Sequence, residues 1–235
     1  MNNNEEFAKL FKEFDQETQK KVPKKEDKPF NSLDYCIQYL TKKGYNPYVR
    51  EKNFIEICKN LRNVDFHNVN DNYYVITDDL LKRFREIVDE VKHPFKVDKK
   101  ATINIFSATL DDNVETVMKE MNEKSYTHIP IYDKEEKHLV GIFSENTIFQ
   151  YLLKEGIIQI DNKTKFSDIE NCISLDNTKE IVKFVAKDKL YDDVVNDFIK
   201  EFKEGNKLSC VMVTHSGKPT EKVIGILTSW DIIGK

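Results

Sequence analysis

GIFSENT at residues 141–147 and GILTSWD at residues 225–231 are two copies of one short pattern. Each has an apolar run closing on Gly-Ile-apolar, then a hydroxyl residue (Ser144 or Thr228), then a polar residue three positions on (Thr147 or Asp231). Internal similarity of this kind settles architecture before any single residue is interpreted. Two copies of a small unit predict a pseudo-symmetric pair, and the groove between such halves is where small ligands bind.

The likeness extends outward from both copies. THIPIY at residues 127–132 precedes the first, and before it Val114, Val117, Met118 and Met121 fall at helical spacing. LSCVMVT at residues 208–214 precedes the second, after Leu190, Val194, Val195, Phe198 and Phe202 at similar spacing. Each unit reads strand, helix, strand, strand, helix, with opening strands predicted at residues 103–106 and 181–185. Polar turns at 133–138 and 215–222 separate the inner strands. Ser144 and Thr228 stand where each last strand gives way to a helix, and both are good N-caps. The predicted fold class is α+β, a helical segment followed by two β-α-β-β-α units.

From about residue 101 to residue 235 the chain resembles a tandem pair of CBS domains, a module that senses adenosine-containing ligands. The resemblance rests on the Gly-apolar-apolar-Thr/Ser-x-x-Asp turn that follows two strands in each unit. In that family the Asp accepts hydrogen bonds from ribose hydroxyls, and the Thr or Ser contacts ribose or phosphate. The resemblance therefore implies ligand binding at Thr228 and Asp231, and at Ser144 and Thr147. It also implies that main-chain atoms frame the adenine, from Ile129, Pro130 and Ile131 in one half and Val211, Met212 and Val213 in the other. The physics agrees, since a helix N-terminus suits an anion and a carboxylate can accept from two neighbouring hydroxyls. Thr147 replaces the family's Asp with one hydroxyl and no charge, so one competent site centred on Thr228 and Asp231 is expected, and one weaker site. The implied ligand is an adenine nucleotide (AMP, ADP or ATP), with no metal. Two blander readings stand beside this one: Asp231 complements a helix dipole, or the pair is a ligand-free dimerisation scaffold.

Residues 1–99 read as helices. Phe7, Leu10, Phe11 and Phe14 form one stripe within residues 5–20, followed by a polar linker at 20–29. Ser32 caps a second helix carrying Leu33, Cys36, Ile37 and Leu40, closed by Gly44. A third covers residues 51–62, and a fourth starts at Thr77 and ends near Lys92. Helices two to four are expected to pack together. At the end of the third, Arg62, Asn63 and His67 form Arg-Asn-x-x-x-His, which resembles the motif of the HEPN superfamily of small helical domains. That resemblance implies a dimeric, metal-independent ribonuclease in which His67 acts as base on a ribose 2′-hydroxyl and Arg62 stabilises phosphorane-like charge. The structural alternative is that Arg62 and Asn63 cap the helix and His67 bonds to backbone in the loop. Over almost its full length the chain is also similar to a bacterial CBS-protein family that joins an Arg-Asn-containing helical segment to a CBS pair. The resulting division is 1–30 (helix and linker), 31–99 (HEPN-like segment), 100–160 (first CBS unit) and 161–235 (second unit with its linker).

Composition narrows the function classes. With 37 Lys and Arg against 41 Asp and Glu, the net charge of −4 argues against a general nucleic-acid coat. Four scattered cysteines lack metal-ligand spacing and read as buried thiols of a reducing compartment. Seven glycines leave no Gly-rich phosphate loop. No apolar stretch approaches a membrane span, and the start of the chain has no apolar leader, so a cytoplasmic protein is expected. His128 is placed at the first cleft. Trp230 is expected to pack in a core or dimer face, and the tyrosines at 35, 39, 45, 48, 73 and 74 to seal an interface rather than stack RNA. Apolar positions Ile148, Phe149, Tyr151 and Leu152 predict a homodimer. The reading is a regulatory protein that binds an adenosine-type small molecule and relays occupancy to its helical part or a partner. The alternative is a nucleotide-regulated ribonuclease acting on RNA.

Overall fold

A computed structural model describes residues 2–24, 31–67, 75–135, 138–156, 160–176 and 180–233, the side chains at 65–67, 155 and 233 excepted. The chain divides into two compact units, Met1–Phe95 and Lys96–Lys235.

The first unit is helical: α1 (Asn3–Lys20), α2 (Leu33–Lys42), α3 (Lys52–His67) and α4 (Asp78–Lys92). Local chemistry sets their starts. Asn2 accepts the Glu5 N–H at 2.9 Å, Ser32 the Tyr35 N–H at 3.3 Å and Thr77 the Leu80 N–H at 3.3 Å. After α2 the chain turns at Gly44, whose φ of 78° lies in the left-handed region that glycine adopts without a Cβ penalty. The first helix lies in the same compact unit as the other three. Phe7, Phe11 and Phe14 recur on one face of α1 and are buried with Phe84 of α4, Leu40 of α2 and Ile55 of α3 in one core. α3 runs past residue 62, so Arg62 and Asn63 lie inside a helix rather than capping its end. Tyr73 and Tyr74 lie outside the described residues.

The second unit holds the duplication. Its first half is β1 (Ala108–Thr109), α5 (Val114–Lys124), β2 (His128–Tyr132), β3 (Leu139–Ser144) and α6 (Glu145–Glu155). A short connecting helix, α7 (Glu170–Ile173), leads to β4 (Ile181–Ala186), α8 (Tyr191–Lys203), β5 (Leu208–Thr214), β6 (Gly225–Thr228) and α9 (Ser229–Ile233). Each half makes a three-stranded sheet of the same order, β1-β2-β3 and β4-β5-β6, with the first pair parallel and the second antiparallel. All seven residues of β5 are buried, as expected of a central strand covered on both faces. Val211 and Val213 pack towards α8 with Val194 and Phe198. Cys210 and Met212, on the opposite face, pack with Ile142 of β3 and so bring the two sheets together. Tyr132 Oη accepts the Val223 N–H at 3.3 Å across the same seam.

The opening strand of the first half is not at residues 103–106. Thr102 exchanges two backbone hydrogen bonds of 3.0 Å with Ile226 of the second half, and Ile103 is 66% exposed. The first half then makes do with the two residues of β1, paired with Ile131 and Tyr132. Val97 likewise sits in the core of the second half. On α6, Ile148 and Tyr151 pack into the first-half core, whereas Phe149 and Leu152 are exposed.

Candidate functional site

The antiparallel pairs decide which side chains meet. In the first sheet His128 stands directly opposite Ser144, and in the second Cys210 stands opposite Thr228. Both hydroxyl residues therefore end a strand at the same edge of their sheets. A cavity of about 780 Å³ lies at these ends, lined by His128 and Ser144 from the first half and by Leu208, Ser209 and Thr228 from the second. Phe198, Ile199 and Phe202 of α8 and Trp230 of α9 give it an apolar, largely aromatic wall. That volume falls within the ordinary range for a small-molecule site. A second concavity of about 360 Å³, in the helical unit, is lined by charges that neutralise one another, with Arg50–Glu90 at 2.6 Å and Arg83–Glu51 at 2.7 Å.

The third residue of each turn faces the turn itself. Asp231 Oδ2 accepts the Thr228 N–H at 2.7 Å and the Thr228 hydroxyl at 3.0 Å. Thr147 Oγ1 accepts the Ser144 N–H at 3.0 Å. Short polar side chains compete for nearby backbone donors in this way, and here both serve as caps. Neither Asp231 nor Thr147 lines the cavity. Ile129, Pro130 and Ile131 are buried in β2, and Val211, Met212 and Val213 in β5, so the cavity is bordered by the starts of those strands instead. Trp230 is 71% exposed at the cavity, so it does not pack in the core of this chain.

Glu180, which the sequence reading did not single out, completes the first half of the site. It is only 8% exposed, and its Oε2 accepts the Ser144 hydroxyl at 3.0 Å. Oε1 lies 3.7 Å from His128 Nε2, an ion-pair distance rather than a hydrogen bond. Thr147 leaves the Ser144 hydroxyl without the carboxylate that Asp231 gives Thr228, and Glu180 supplies it. The only sequence signal was an acid set immediately before an apolar strand. Burial pushes the Glu180 carboxyl up, but His128, the Ser144 hydroxyl and Lys207 outweigh it and hold the group below its usual range. A carboxyl held low in the folded state stabilises the fold above its unfolded pKa, about 4.3, and that stabilisation is lost as pH falls through the folded value. Urea unfolding from pH 7 down to about pH 3 should therefore decline less steeply for Glu180→Gln than for the parent chain. Parallel pH profiles would sink this assignment.

In the helical unit, Arg62 is engaged locally. Its Nη1 donates to Asn63 Oδ1 at 3.2 Å, and its guanidinium lies 5.8 Å from the centroid of the Phe11 ring. The His67 backbone closes α3, and its side chain lies outside the described residues. All four cysteines are buried and unpaired by disulfide, and burial pushes the Cys58 thiol up to about 12. Among the described residues no group of three His, Cys, Asp or Glu side chains is placed to hold a metal ion. No helix among them is long and apolar enough to cross a membrane.

Comparison with known proteins finds one partial match to a family model. The CBS domain model matches residues 97–154, from the short turn at Val97 through most of α6. No curated protein matches the chain. Solved structures similar to it include protein MJ1004 from Mathanocaldococcus jannaschii, at 22% identity over 60% of this chain and 58% of that one, with a TM-score of 0.44. Another is the CBS domain pair of protein MJ0100 in complex with 5′-methylthioadenosine and S-adenosyl-L-methionine, at 24% identity over 59% of this chain and 93% of that one, TM-score 0.41. A third is a hemolysin-like protein containing a CBS domain from Oenococcus oeni, at 14% identity over 60% and 89%, TM-score 0.40.

Proposed function

We propose that this chain is a regulatory, ligand-sensing protein whose duplicated unit binds an adenosine-containing molecule in the cavity between its halves. Occupancy then shifts the arrangement of the helical unit or of a partner. The observation that carries this reading is the convergence of both duplicated hydroxyls, Ser144 and Thr228, on one cavity with an aromatic wall. An aromatic wall stacks a base, and the polar end fixes a sugar. A ligand moves an equilibrium only by its differential affinity for two states. A site assembled from two halves has that property, because ligand bridges them and favours the arrangement in which both ends are near.

Thermal unfolding tests the reading. At a hundredfold excess over Kd an adenine compound stabilises the folded state by about 2.7 kcal/mol, which for a chain of this size is a rise of about 5–10 °C. Trp230→Ala, which removes an exposed ring from the wall, should reduce that rise without lowering the midpoint of the free protein. Absence of a shift with adenosine, AMP, ADP and ATP alike would overturn the reading.

A further inference from the structure

The hydrogen bonds at the polar end of the cavity narrow the ligand class. A hydroxyl has one proton to donate, and an ionised carboxylate can only accept. Ser144 Oγ lies 3.0 Å from Glu180 Oε2, and Thr228 Oγ1 lies 3.0 Å from Asp231 Oδ2. The direction of both bonds is therefore fixed, and each hydroxyl has its proton committed to a carboxylate. What Ser144 and Thr228 present to a ligand is lone pairs. Glu180 adds a carboxylate that is itself part of the cavity lining, with a side chain 4% exposed. Glu145 lines the cavity as well; among the described lining residues Lys207 is the only lysine or arginine, and Asn146 and the unpartnered hydroxyl of Ser209 are neutral donors there. His128 Nε2 is buried without a hydrogen-bond partner.

Acceptor-rich surroundings of this kind suit groups that donate: ribose hydroxyls, an exocyclic amine, or a cationic substituent. They do not suit phosphate. A phosphate monoester is an acceptor carrying about −1.5 to −2 charges at neutral pH, and near a desolvated carboxylate its charge is poorly screened. Lys207 is exposed, and His128 already stands beside Glu180, so a phosphate entering here meets the Glu180 and Glu145 carboxylates with no arginine or second lysine among the described lining residues. Resting on the reading that this cavity takes an adenosine-containing molecule, we infer that it selects the nucleoside, neutral or positively charged, over its phosphorylated forms, and that Glu180 sets that selectivity. This departs from the AMP, ADP or ATP expected from the sequence: of the ribose or phosphate contacts that the resemblance implies for the motif's hydroxyls, lone pairs alone suit the ribose.

Isothermal titration of the full-length chain with adenosine, S-adenosylmethionine (cationic at sulfur), AMP and ATP tests the inference. Adenosine or the sulfonium compound should bind at least tenfold tighter than AMP, and ATP should bind weakest. Glu180→Gln keeps an oxygen to accept the Ser144 proton while removing the charge, and should narrow the adenosine-to-AMP ratio tenfold or more. Should that variant fold poorly, the ratio in the unaltered protein still decides the question. AMP or ATP binding as tightly as adenosine overturns the inference while leaving the adenosine cavity standing. An unchanged ratio in a folded Glu180→Gln overturns the role given to Glu180. Binding of none of the four removes the cavity reading, and this inference with it.

Discussion

Gly141→Ala should destabilise the duplicated unit by about 3 kcal/mol, whereas Gly225→Ala, the same change in the second copy, should cost about 1 kcal/mol or less. The two glycines share a place in the motif but not a neighbourhood. A Cβ built on Gly141 falls 1.9 Å from the backbone oxygen of Ile173 and 2.5 Å from its carbonyl carbon. Backbone cannot swing aside as a flexible side chain does, so α7 would have to move off β3. That movement breaks the bridge between Gly141 and Ser174 and opens a core holding Ile173 and Phe166, both 0% exposed. At Gly225 the nearest atoms are Ala101 Cβ at 3.0 Å and Val213 Cβ at 3.3 Å, which need give by only a few tenths of an ångström. Alanine also restricts the unfolded chain, which offsets part of that smaller cost. Urea unfolding followed by hydrogen exchange across residues 97–233 measures both variants. Equal losses would show that the close approach of α7 does not matter.

The duplication was legible because its signal is local and repeated. Gly141 and Gly225 and the hydroxyls at 144 and 228 recur at matching places, each after an apolar-rich strand (β2 or β5), so the order of strands and helices followed. The opening strand was misplaced because Ile103, Ile105 and Phe106 alternate like a strand, while the pairing that matters is non-local. Thr102 binds Ile226, and β1 is defined only by Ile131 and Tyr132 opposite it. The motif also revealed Ser144 and Thr228 but not the direction of their neighbours. Asp231 has the composition of a sugar-binding acid and the geometry of a cap, a competition that residue identity alone does not decide. Glu180 was illegible for a different reason. Its role comes from meeting Ser144, 36 residues earlier in the chain, and a single acid before a strand has no periodicity to mark it.

In the helical unit the largest single effect should come from Phe84→Ala, at about 3–5 kcal/mol. Phe84 is 0% exposed, and its ring centroid lies 5.2 Å from that of Phe7, 6.0 Å from Phe11 and 5.7 Å from Phe14. Truncation thus removes one ring contact from each of Phe7, Phe11 and Phe14 at once, leaving a cavity that three rings from one helix cannot fill without shifting that helix. The polar contacts between α1 and α4 are of another order. Arg85 pairs with Glu6, and Lys92 with Glu13 at 3.4 Å, all at the surface, where such pairs contribute about 0–1 kcal/mol. Arg85→Ala is therefore the matched control, expected to change stability by less than about 1 kcal/mol. Hydrogen exchange resolved to α1 separates the two accounts. If the aromatic cluster holds this helix, Phe84→Ala removes protection from residues 3–20 while Arg85→Ala leaves it intact. If the ion pairs hold it, the order reverses. The outcome also bears on Arg62, whose guanidinium rests near Phe11: a helix α1 released by Phe84→Ala takes that ring away, and Arg62 then loses the aromatic surface that positions it.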